Sequence, residues 1–520
     1  MPGGGPGTAY DDPVSEKQQK AEHRSRPTGE AFRAFMRESW APRPTDLPAL
    51  TEAARYAASR REVLSAAFPG ERLVIPAGGL KIRSNDTDYV FRPHSAFAHL
   101  TGLGADREPD AVLVLEPRHR EDGSPAGHEA ILYFLPLADR DSEEFFADSR
   151  VGEFWVGSRP TLASASAELG LTTRHLSELE DAVGKDLGVG GLAVRVVRDA
   201  DREVAALVDR VRGQAGLTGE QALEAAQESD LALARSLSTQ RLVKDDWEVR
   251  QMEEAVEATA TAFDAVVEQL PEAVRRGRGE RWVEGVFGLH ARHAGNGVGY
   301  DSICAAGEHA TTLHWIRNTG EVQGGELVLL DAGVETDSLY TADVTRTLPV
   351  SGTFSPAQRK VYEAVLEAQE AGLAAARPGN RFKDVHAAAI EVIARHLLEW
   401  GLLPDGVTLE QTLDAEEGQF HRRWMVHGTS HHLGIDVHDC ALALREDYLD
   451  GELREGMVLT VEPGLYFKSD DLLVPEELRG IGVRIEDDVV ITADGARNLS
   501  SMLPRTADEV EAWVQAGGRR

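Results

Sequence analysis

The sequence predicts two domains of different fold class, an α/β domain followed by an α+β domain. At 520 residues, the chain is long for a single hydrophobic core. Apolar runs alternate with helical patterns in its first half, which predicts a sheet that is covered on both faces. Amphipathic helices and antiparallel-looking strands share its second half, which is typical of an α+β domain rather than a doubly wound sheet. We therefore expect an α/β domain over residues 29–238 and an α+β domain over residues 239–505.

Both ends of the chain lack this patterning. Residues 1–28 are rich in glycine, proline and charged residues, a composition that predicts disorder. Residues 506–520 end in GGRR and are expected to form a C-terminal tail. The two domains are therefore expected to hold the packed structure of the protein.

The first domain opens with a helical pattern over residues 51–68, TEAARYAASRREVLSAAF. Short apolar runs follow it, and their length and bounding residues are those of buried strands. These runs are RLVIPAG (72–78), DAVLVLEP (110–117), AILYFLP (130–136) and LAVRVVRD (192–199). Helical segments between the runs would cover the sheet.

The second domain opens with a long amphipathic helix, in which apolar residues recur at helical spacing from Val249 to Leu270. Pro271 is expected to end this helix. A capping box that begins at Ser355–Pro356 predicts another helix, which ends near residues 377–379. The strand candidates are ELVLLDAG (326–333), TADVTRTLPV (341–350), GMVLTVEPG (456–464) and GVRIEDDVVIT (482–492).

Composition limits the classes of function. The chain carries 87 acidic and 55 basic residues, and its net charge of -32 repels a phosphate backbone, which argues against nucleic-acid binding. Two cysteines, Cys304 and Cys440, are too few for a disulfide framework or a thiolate metal cage. No run approaches the roughly 18 apolar residues of a membrane span, and the stretch MPGGGPGTAYDDPVSEKQQ lacks the apolar run that a signal peptide would need. A cytoplasmic protein without membrane contact is expected.

Residues 426–439, VHGTSHHLGIDVHD, concentrate four of the chain's 17 histidines. His427 and His431 stand four apart, as the two histidines of the helical zinc motif HExxH do. The three residues between them are Gly428, Thr429 and Ser430, which are poor helix formers, and no glutamate occupies the position of the general base. That motif is therefore excluded, which leaves a histidine-rich loop or a metal site that draws its other ligands from elsewhere.

Four acidic residues lie within or at the end of otherwise apolar strand candidates. They are Asp331 in ELVLLD, Asp343 in TADVTRT, Glu462 in VLTVEPG and Glu486 in GVRIEDD. A buried carboxylate is costly unless it is paired or binds a metal. Only Arg346 and Arg484 lie nearby in sequence, and two arginines cannot neutralise four carboxylates. Any one of the acids, taken alone, could still pair separately or reach solvent at a strand end.

Together with the histidine cluster, the four acids favour a shared metal site. Two divalent cations would balance four carboxylates, and His431 would add a neutral nitrogen ligand. Four oxygen donors and one imidazole form a hard, mixed ligand set, which suits Mn²⁺ better than a structural zinc ion. Strands would hold these ligands rigidly. Two divalent metal ions, with Mn²⁺ the best match, are therefore the expected cofactors.

Five motifs, in chain order, resemble one known family. LLDAG, ADVTRT, HGTSHHLGIDVHD, VEPGLY and GIGVRIEDD are similar to the metallopeptidases of the pita-bread fold, and most similar to aminopeptidase P (Xaa-Pro aminopeptidase), with prolidase a close relative. The match is strong from about residue 240 to 505, and SNDTDYVFRPHSAFAHLTGL resembles the N-terminal domain of the same family. The resemblance implies an α+β pita-bread catalytic domain after an α/β N-terminal domain.

The resemblance implies a role for each candidate metal ligand. Asp331 would chelate one metal ion and Asp343 would bridge both. His431 and Glu462 would bind the other ion, and Glu486 would form the second bridge. Glu462 would also carry a proton between the metal-bridging hydroxide and the leaving nitrogen.

The resemblance also implies residues that contact the substrate. His314, in TLHW, would lie near the substrate carbonyl, and His438 would stabilise or protonate the tetrahedral intermediate. His427, Tyr466 and Arg484 would line the pocket around the proline. The histidine-rich stretch would then supply one metal ligand and two substrate-facing side chains.

The sequence departs from the family pattern at two places. The two metal-ligating aspartates stand twelve positions apart, one more than expected, so the hairpin between them should carry an extra residue. Asp337 lies in that hairpin and is interpreted as a turn residue rather than a ligand. His432 stands where relatives often have an aromatic residue, so packing or substrate contact is expected of it rather than ligation. In GEHATTLHW, His314 fits the motif and His309 does not.

The implied activity is hydrolysis of the N-terminal Xaa-Pro bond, which releases the first residue of peptides that have proline second. A homo-oligomer, dimeric or tetrameric, is expected by resemblance. Prolidase, which cleaves only Xaa-Pro dipeptides, shares the five ligands and remains an alternative. Creatinase-like C–N hydrolysis uses this fold without metals, and a non-catalytic, peptide-binding pseudo-peptidase would lack several ligands. The five intact ligands argue against both of these.

Overall fold

A computed structural model describes residues 29–518 of the chain. The predicted disordered tail over residues 1–28 lies outside the described residues. Within the described range, the chain folds into an N-terminal and a C-terminal part, whose elements are separated between Gln240 and Asp246.

The N-terminal part contains nine helices and seven strands among the described residues. Its helices are α1 (Glu30–Arg37), α2 (Glu52–Ala67), α3 (Ser95–Thr101), α4 (Glu144–Ala147), α5 (Glu153–Val156), α6 (Leu162–Leu169), α7 (Leu179–Gly184), α8 (Arg202–Gln214) and α9 (Glu220–Gln240). Its strands are β1 (Arg72–Pro76), β2 (Ile82–Ser84), β3 (Thr87–Asp88), β4 (Val112–His119), β5 (Pro125–Phe134), β6 (Thr172–His175) and β7 (Val194–Val196).

Five of these strands form one mixed sheet in the order β6-β5-β4-β1-β7. β1 runs antiparallel to β4 and parallel to β7. Successive residues of β1 pack into different hydrophobic clusters: Leu73 and Ile75 belong to one cluster and Val74 belongs to another. A strand points alternate side chains to opposite faces of its sheet, so both faces of this sheet are covered. The predicted α/β class of the N-terminal domain is confirmed.

The C-terminal part contains seven helices and ten strands among the described residues. Its helices are α10 (Asp246–Arg275), α11 (Gly279–Ala294), α12 (Pro356–Ala375), α13 (Phe382–Glu399), α14 (Leu409–Leu413), α15 (Arg445–Tyr448) and α16 (Ala507–Ala516). Its strands are β8 (Gly297–Val298), β9 (Ile303–Ala306), β10 (Leu327–Ala332), β11 (Val334–Glu335), β12 (Val344–Pro349), β13 (Val458–Val461), β14 (Gly464–Tyr466), β15 (Gly482–Arg484), β16 (Asp487–Thr492) and β17 (Gly495–Asn498).

The strands of the C-terminal part pair antiparallel in small sheets, β12-β10-β9, β13-β16-β17, β14-β15 and β11-β8. The helices α10 to α13 pack against the β12-β10-β9 and β14-β15 sheets in one large hydrophobic cluster. Helices and antiparallel strands thus share one core, which confirms the predicted α+β class of this domain.

Two predicted strands are each divided between two sheets. GVRIEDDVVIT forms β15, which pairs with β14, and then β16, which pairs with β13. GMVLTVEPG likewise forms β13 and then continues into β14. The prediction of single strands was wrong, because an apolar run shows burial but does not show which partner each segment pairs with. Glu462 and Glu486 stand at the two points where the chain changes sheet.

Helix α10 passes through Pro271, so the prediction that the proline ends this helix was wrong. Pro271 lies on the exposed side of the helix, whereas Leu270 and Ala273 on either side of it are buried in the core. Burial of the apolar face offsets the backbone hydrogen bond that a proline removes. The capping box at Ser355 is present as predicted, and it opens α12.

The C-terminal segment forms a packed helix where the sequence predicted a tail. Helix α16 begins after Thr506, which caps it by accepting a hydrogen bond from Glu509 N. Its Val510 and Trp513 side chains are buried, and the Trp513 indole donates to Asp264 on α10 at 2.8 Å. The amphipathic pattern of this ten-residue helix is short and was not recognised. Within residues 29–518, no helix is both long enough and apolar enough to cross a bilayer.

Candidate metal centre

The two candidate aspartate ligands come from neighbouring antiparallel strands. Asp331 lies in β10 opposite Thr345 of β12, and Asp343 immediately precedes β12. The Tyr300 hydroxyl contacts both carboxylates, at 2.7 Å from Asp331 Oδ1 and 2.5 Å from Asp343 Oδ1. Both aspartates are buried. The hairpin between them therefore returns the chain so that two acids twelve positions apart face the same space.

The histidine-rich loop runs beside β13, which fixes the orientation of His431. The His431 backbone exchanges hydrogen bonds with Thr460, through Thr460 N to His431 O at 3.0 Å and His431 N to Thr460 Oγ1 at 3.1 Å. The ring Nδ1 donates to the His432 carbonyl at 3.2 Å. Because a carbonyl only accepts, Nδ1 carries a proton in this bond, and Nε2 is the ring nitrogen that faces the acids. Nε2 lies 3.3 Å from Asp343 Oδ2 and 3.7 Å from Glu462 Oε1.

Sheet register brings the two glutamates together. Val461 pairs with Asp487, and Gly464 pairs with Arg484, so the residues between these pairs face each other. Glu486 accepts a hydrogen bond from Thr345 Oγ1 at 2.7 Å. Ligand atoms of Asp343, His431 and Glu486 all lie within 4.8 Å of one another. These three side chains could hold a single metal ion.

One cavity of about 570 Å³ gathers the candidate residues. Nine of the ten that the sequence singled out line it, namely His314, Asp331, Asp343, His427, His431, His438, Glu462, Arg484 and Glu486. Tyr466, the tenth, lies behind this wall and bonds His427 Nε2 at 2.8 Å and Arg484 Nη1 at 3.1 Å. The tertiary structure thus brings residues that span 173 sequence positions, from His314 to Glu486, into one site.

The carboxyl groups of the site resist ionising together. Burial raises the pKa of Glu462 to about 8, against the opposing charges of His431 and Arg484. Burial, followed by the charges of Asp343 and Glu462, raises the pKa of Glu486 well above its usual value. Burial also raises the pKa of Asp331, against the opposing charge of Arg484. Burial alone would lower the pKa of His431, but its hydrogen bond to Asp343 and the charge of Glu462 outweigh burial and raise it to about 9. Divalent cations would stabilise the ionised form of these carboxylates, so the donor set fits a metal site.

Of the two arginines that lie near the acids in sequence, Arg484 is part of the site and Arg346 is not. Arg484 is buried in the site and donates to Asp331 Oδ2. Arg346 lies outside it, in a fully buried ion pair with Asp487 at 2.7 Å. One arginine therefore serves the four acids of the cavity, and it cannot neutralise all four carboxylates in their ionised form.

The substrate-facing candidates have distinct environments. Burial and then the charge of Arg484 lower the pKa of His427 to about 3, so the ring is neutral; Nδ1 donates to Gly428 O at 2.6 Å. His438 is exposed, and its ring meets that of His431 edge-on at 4.5 Å between centroids. His314 is exposed at the cavity wall. Two exposed imidazoles on one cavity wall can donate or accept hydrogen bonds from a bound peptide.

The three residues that sequence reasoning set aside lie outside the ligand group. Asp337 is exposed in the turn of the hairpin. His432 is fully buried between Phe382 and Tyr448, with ring centroids 4.7 Å and 4.6 Å away. His309 bonds the buried Glu280 at 2.7 Å. Asp337 thus lies in a turn, His432 packs between two rings, and His309 pairs with an acid outside the candidate ligand set.

Two residues of the site were missed by sequence reasoning. Tyr300, whose hydroxyl joins the two aspartates, stands in a short loop before β9 where no motif marks it. Asp488 accepts a hydrogen bond from Asp343 N at 3.0 Å and so orients that ligand from behind. The sequence shows that Asp488 belongs to the acidic run IEDD, but it does not show that this side chain points toward Asp343.

Replacing His432 by phenylalanine is expected to retain turnover and to stabilise the protein. Both ring nitrogens of His432 are buried without a hydrogen-bond partner, which costs free energy, whereas phenylalanine keeps the stack on Phe382 without that cost. The free energy of unfolding should rise by about 1 kcal/mol. Thermal unfolding and turnover of a peptide substrate measure the two effects. Loss of bound metal in this variant would show that His432 is a ligand after all.

Models of two protein families match the chain. The model of metallopeptidase family M24 matches residues 250–493, and the model of the aminopeptidase P N-terminal domain matches residues 56–190. The first range contains all ten candidate residues, and the second lies within the N-terminal part of the fold. The two models therefore cover the same two parts that the structure separates.

Curated relatives and solved structures agree with these matches. Xaa-Pro aminopeptidase 1 of Streptomyces coelicolor is 52% identical over 91% of this chain and 89% of its own length, and Xaa-Pro aminopeptidase 2 of the same organism is 50% identical over 92% and 95%. The structure of Escherichia coli aminopeptidase P with the inhibitor Pro-Leu superposes with a TM-score of 0.74 at 30% identity, and covers 90% of this chain and 99% of its own.

The similarity in sequence and in fold covers nearly the whole length of this chain and of each of these relatives. The resemblance seen in the motifs therefore extends to both domains. The predicted pita-bread catalytic domain with its N-terminal companion domain is confirmed. The chain therefore belongs to the aminopeptidase P (Xaa-Pro aminopeptidase) family of M24 metallopeptidases and is a metallo-exopeptidase.

Proposed function

We propose that this chain is a dinuclear-metal-dependent aminopeptidase, which hydrolyses the N-terminal Xaa-Pro bond of peptides and releases the first residue. The observation that carries the proposal is the convergence of four carboxylates and His431 on one cavity that is also lined by His314 and His438. The names of the relatives at 50% and 52% identity support the choice of an Xaa-Pro bond.

Asp331, Asp343, His431, Glu462 and Glu486 would hold two divalent ions, with Mn²⁺ the best match to their oxygen-rich donor set. When bound, such ions lower the pKa of water toward about 7 and so make a hydroxide available at neutral pH. Asp331, Asp343 and Glu486 are buried, and His431 and Glu462 are partly buried, which limits the access of competing water to the ligands.

The remaining chemistry falls to the side chains around the ligands. Glu462 would accept the proton of the attacking water and pass it to the leaving proline nitrogen. His314 and His438, both exposed to the cavity, would donate to the carbonyl oxygen as charge develops on it. Arg484 and His427, which Tyr466 hydrogen-bonds from behind, would form the wall on which the proline ring rests.

A site shaped for proline has a chemical rationale. The Xaa-Pro bond is a tertiary amide without an N–H group, and the proline ring fixes φ. Peptidases that bind substrates as an added strand need that N–H donor, whereas a pocket that fits the ring does not. Substrates with proline at the second position would therefore be selected by shape.

Metal analysis coupled to peptide turnover tests the proposal. The purified protein should contain two equivalents of a divalent metal, lose turnover of an Xaa-Pro-Xaa tripeptide on chelation, and regain it when Mn²⁺ is restored. A metal-free protein that binds the peptide without cleaving it would indicate a pseudo-peptidase. Cleavage of an Xaa-Pro dipeptide alone, with the tripeptide untouched, would indicate a prolidase.

We further propose a cytoplasmic, homo-oligomeric protein. Both cysteines are free and buried, which accords with a reducing compartment. Phe35 and Phe154 in the N-terminal domain expose 74% and 60% of their surface, an apolar area that a second copy of the chain could cover. Light scattering coupled to size exclusion gives the number of copies.

A further inference from the structure

We infer that Arg92, in the N-terminal domain, is a positioning residue for the metal site, because it joins the two chain segments that carry the ligands Asp343 and His431. The inference rests on the metal centre proposed above. It gives the N-terminal domain a part in preorganising the catalytic site of its own chain.

The first segment is the hairpin that leads to Asp343. Arg92 Nε donates to Glu335 Oε2 at 2.9 Å, across 243 positions of sequence. Glu335 lies in β11 and is buried, and its other oxygen accepts from Asn296 Nδ2 at 3.0 Å. A buried carboxylate needs such a counter-charge. The guanidinium therefore holds the base of the hairpin against the N-terminal domain.

The second segment is the histidine-rich loop. Arg92 Nη2 donates to the Ile435 carbonyl at 2.7 Å, and Nη1 lies 3.4 Å from Asp436 Oδ1. Ser95, three residues after Arg92, donates to the same Asp436 oxygen at 2.6 Å. Asp436 lies between His431 and His438, so these contacts anchor the loop in the middle.

The two segments also touch each other directly. Thr341 N donates to Gly434 O at 3.1 Å, two residues before one ligand and three after the other. Arg92 contacts both of these segments as well, with Nε bonded to Glu335 of the hairpin and Nη2 bonded to Ile435 of the histidine-rich loop. A rigid planar fork can fix the distance between two acceptors, which a lysine ammonium on a flexible stem cannot do as well. The separation of Asp343 and His431 is thereby set from the neighbouring domain.

Arg107 offers a matched control within the same domain. Its side chain is 38% exposed, as is that of Arg92, and its guanidinium donates to the Glu168 carboxylate at 3.0 to 3.1 Å. Glu168 lies in α6 of the N-terminal domain, away from the metal ligands. Loss of Arg107 therefore removes a similar ion pair without touching either ligand-bearing segment.

The test compares Mn²⁺ affinity of folded wild type, Arg92→Ala, Arg92→Lys and Arg107→Ala by titration calorimetry of the apo proteins. Residues that orient metal ligands typically change affinity by about 10- to 100-fold, and we expect a loss in that range for Arg92→Ala, a smaller one for Arg92→Lys and no change for Arg107→Ala. At saturating Mn²⁺, KM should equal that of wild type, since Arg92 does not line the cavity of the metal site.

A double variant separates positioning from the cost of an unpaired buried acid. The double variant Arg92→Ala/Glu335→Gln removes the unpaired charge of Glu335 but does not restore the contact between residue 92 and the histidine-rich loop. Metal binding should therefore stay as weak as in Arg92→Ala. Wild-type affinity in Arg92→Ala or in the double variant would overturn the inference. Absence of metal binding in wild type would instead overturn the proposed function itself.

Discussion

Replacing Asp343 or Glu486 by alanine is expected to abolish peptide turnover, with a loss in kcat/KM of more than about 10³-fold, or about 4 kcal/mol of transition-state stabilisation. Both side chains are buried and both lie within reach of His431. Each would bridge two metal ions, so neither ion would keep its position after the change. Turnover of an Xaa-Pro-Xaa peptide and metal content by atomic emission give the two readouts.

A glutamine at position 486 removes the charge of this ligand while keeping its size, and the stability of the apo protein tests that change. Burial and the charges of Asp343 and Glu462 raise the pKa of Glu486 in the folded state. Above the pKa of the unfolded state, folding then requires uptake of a proton, which costs free energy that increases as the pH rises. Apo Glu486→Gln should therefore melt at a higher temperature than apo wild type at neutral pH. A lower melting temperature together with full turnover would contradict the assignment of Glu486.

Replacing His438 by alanine is expected to lower kcat by about 10²- to 10³-fold, as the loss of one donor to a developing oxyanion does. Metal content and KM should stay near those of wild type, because His438 stands on the cavity wall and not among the proposed ligands. Steady-state kinetics with a tripeptide and metal analysis of the same preparation provide the measurement.

His432→Phe is the control for this prediction, since it changes the histidine next to a ligand without facing the cavity. The ring of His438 lies 4.5 Å from that of His431, so a packing effect on the ligand is the competing explanation. Metal loss in His438→Ala in proportion to the loss of kcat would support that explanation and contradict a direct role.

Local sequence patterns predicted the elements that depend on neighbours in the chain. The capping box at Ser355 opens a helix as predicted, because its hydrogen bonds span only three residues. The side chains of β1 likewise alternate between two hydrophobic clusters, because successive residues of a strand point to opposite faces of its sheet. Patterns failed where a distant contact outweighed them, as at Pro271, where burial of Leu270 and Ala273 keeps the helix intact.

The candidate site was predictable in composition and not in geometry. Acids in apolar runs indicated buried carboxylates, since burial of unpaired charge is costly wherever it occurs. Tyr300 and Asp488 went unrecognised, because an ordinary tyrosine in a loop and one more acid in an acidic run carry no signal of their own. Their role depends on where other strands place Asp343.

The sequence by itself determined the fold class of both domains and the chemistry of the donor set, because periodicity and side-chain type are local properties. Only the tertiary structure decided that Glu462 and Glu486 face each other, since this follows from the register of β13 with β16 and of β14 with β15. It also decided that Arg92 reaches Glu335 and Ile435, 243 and 343 positions away. Such contacts are set by how whole elements pack, and no pattern within a single segment encodes them.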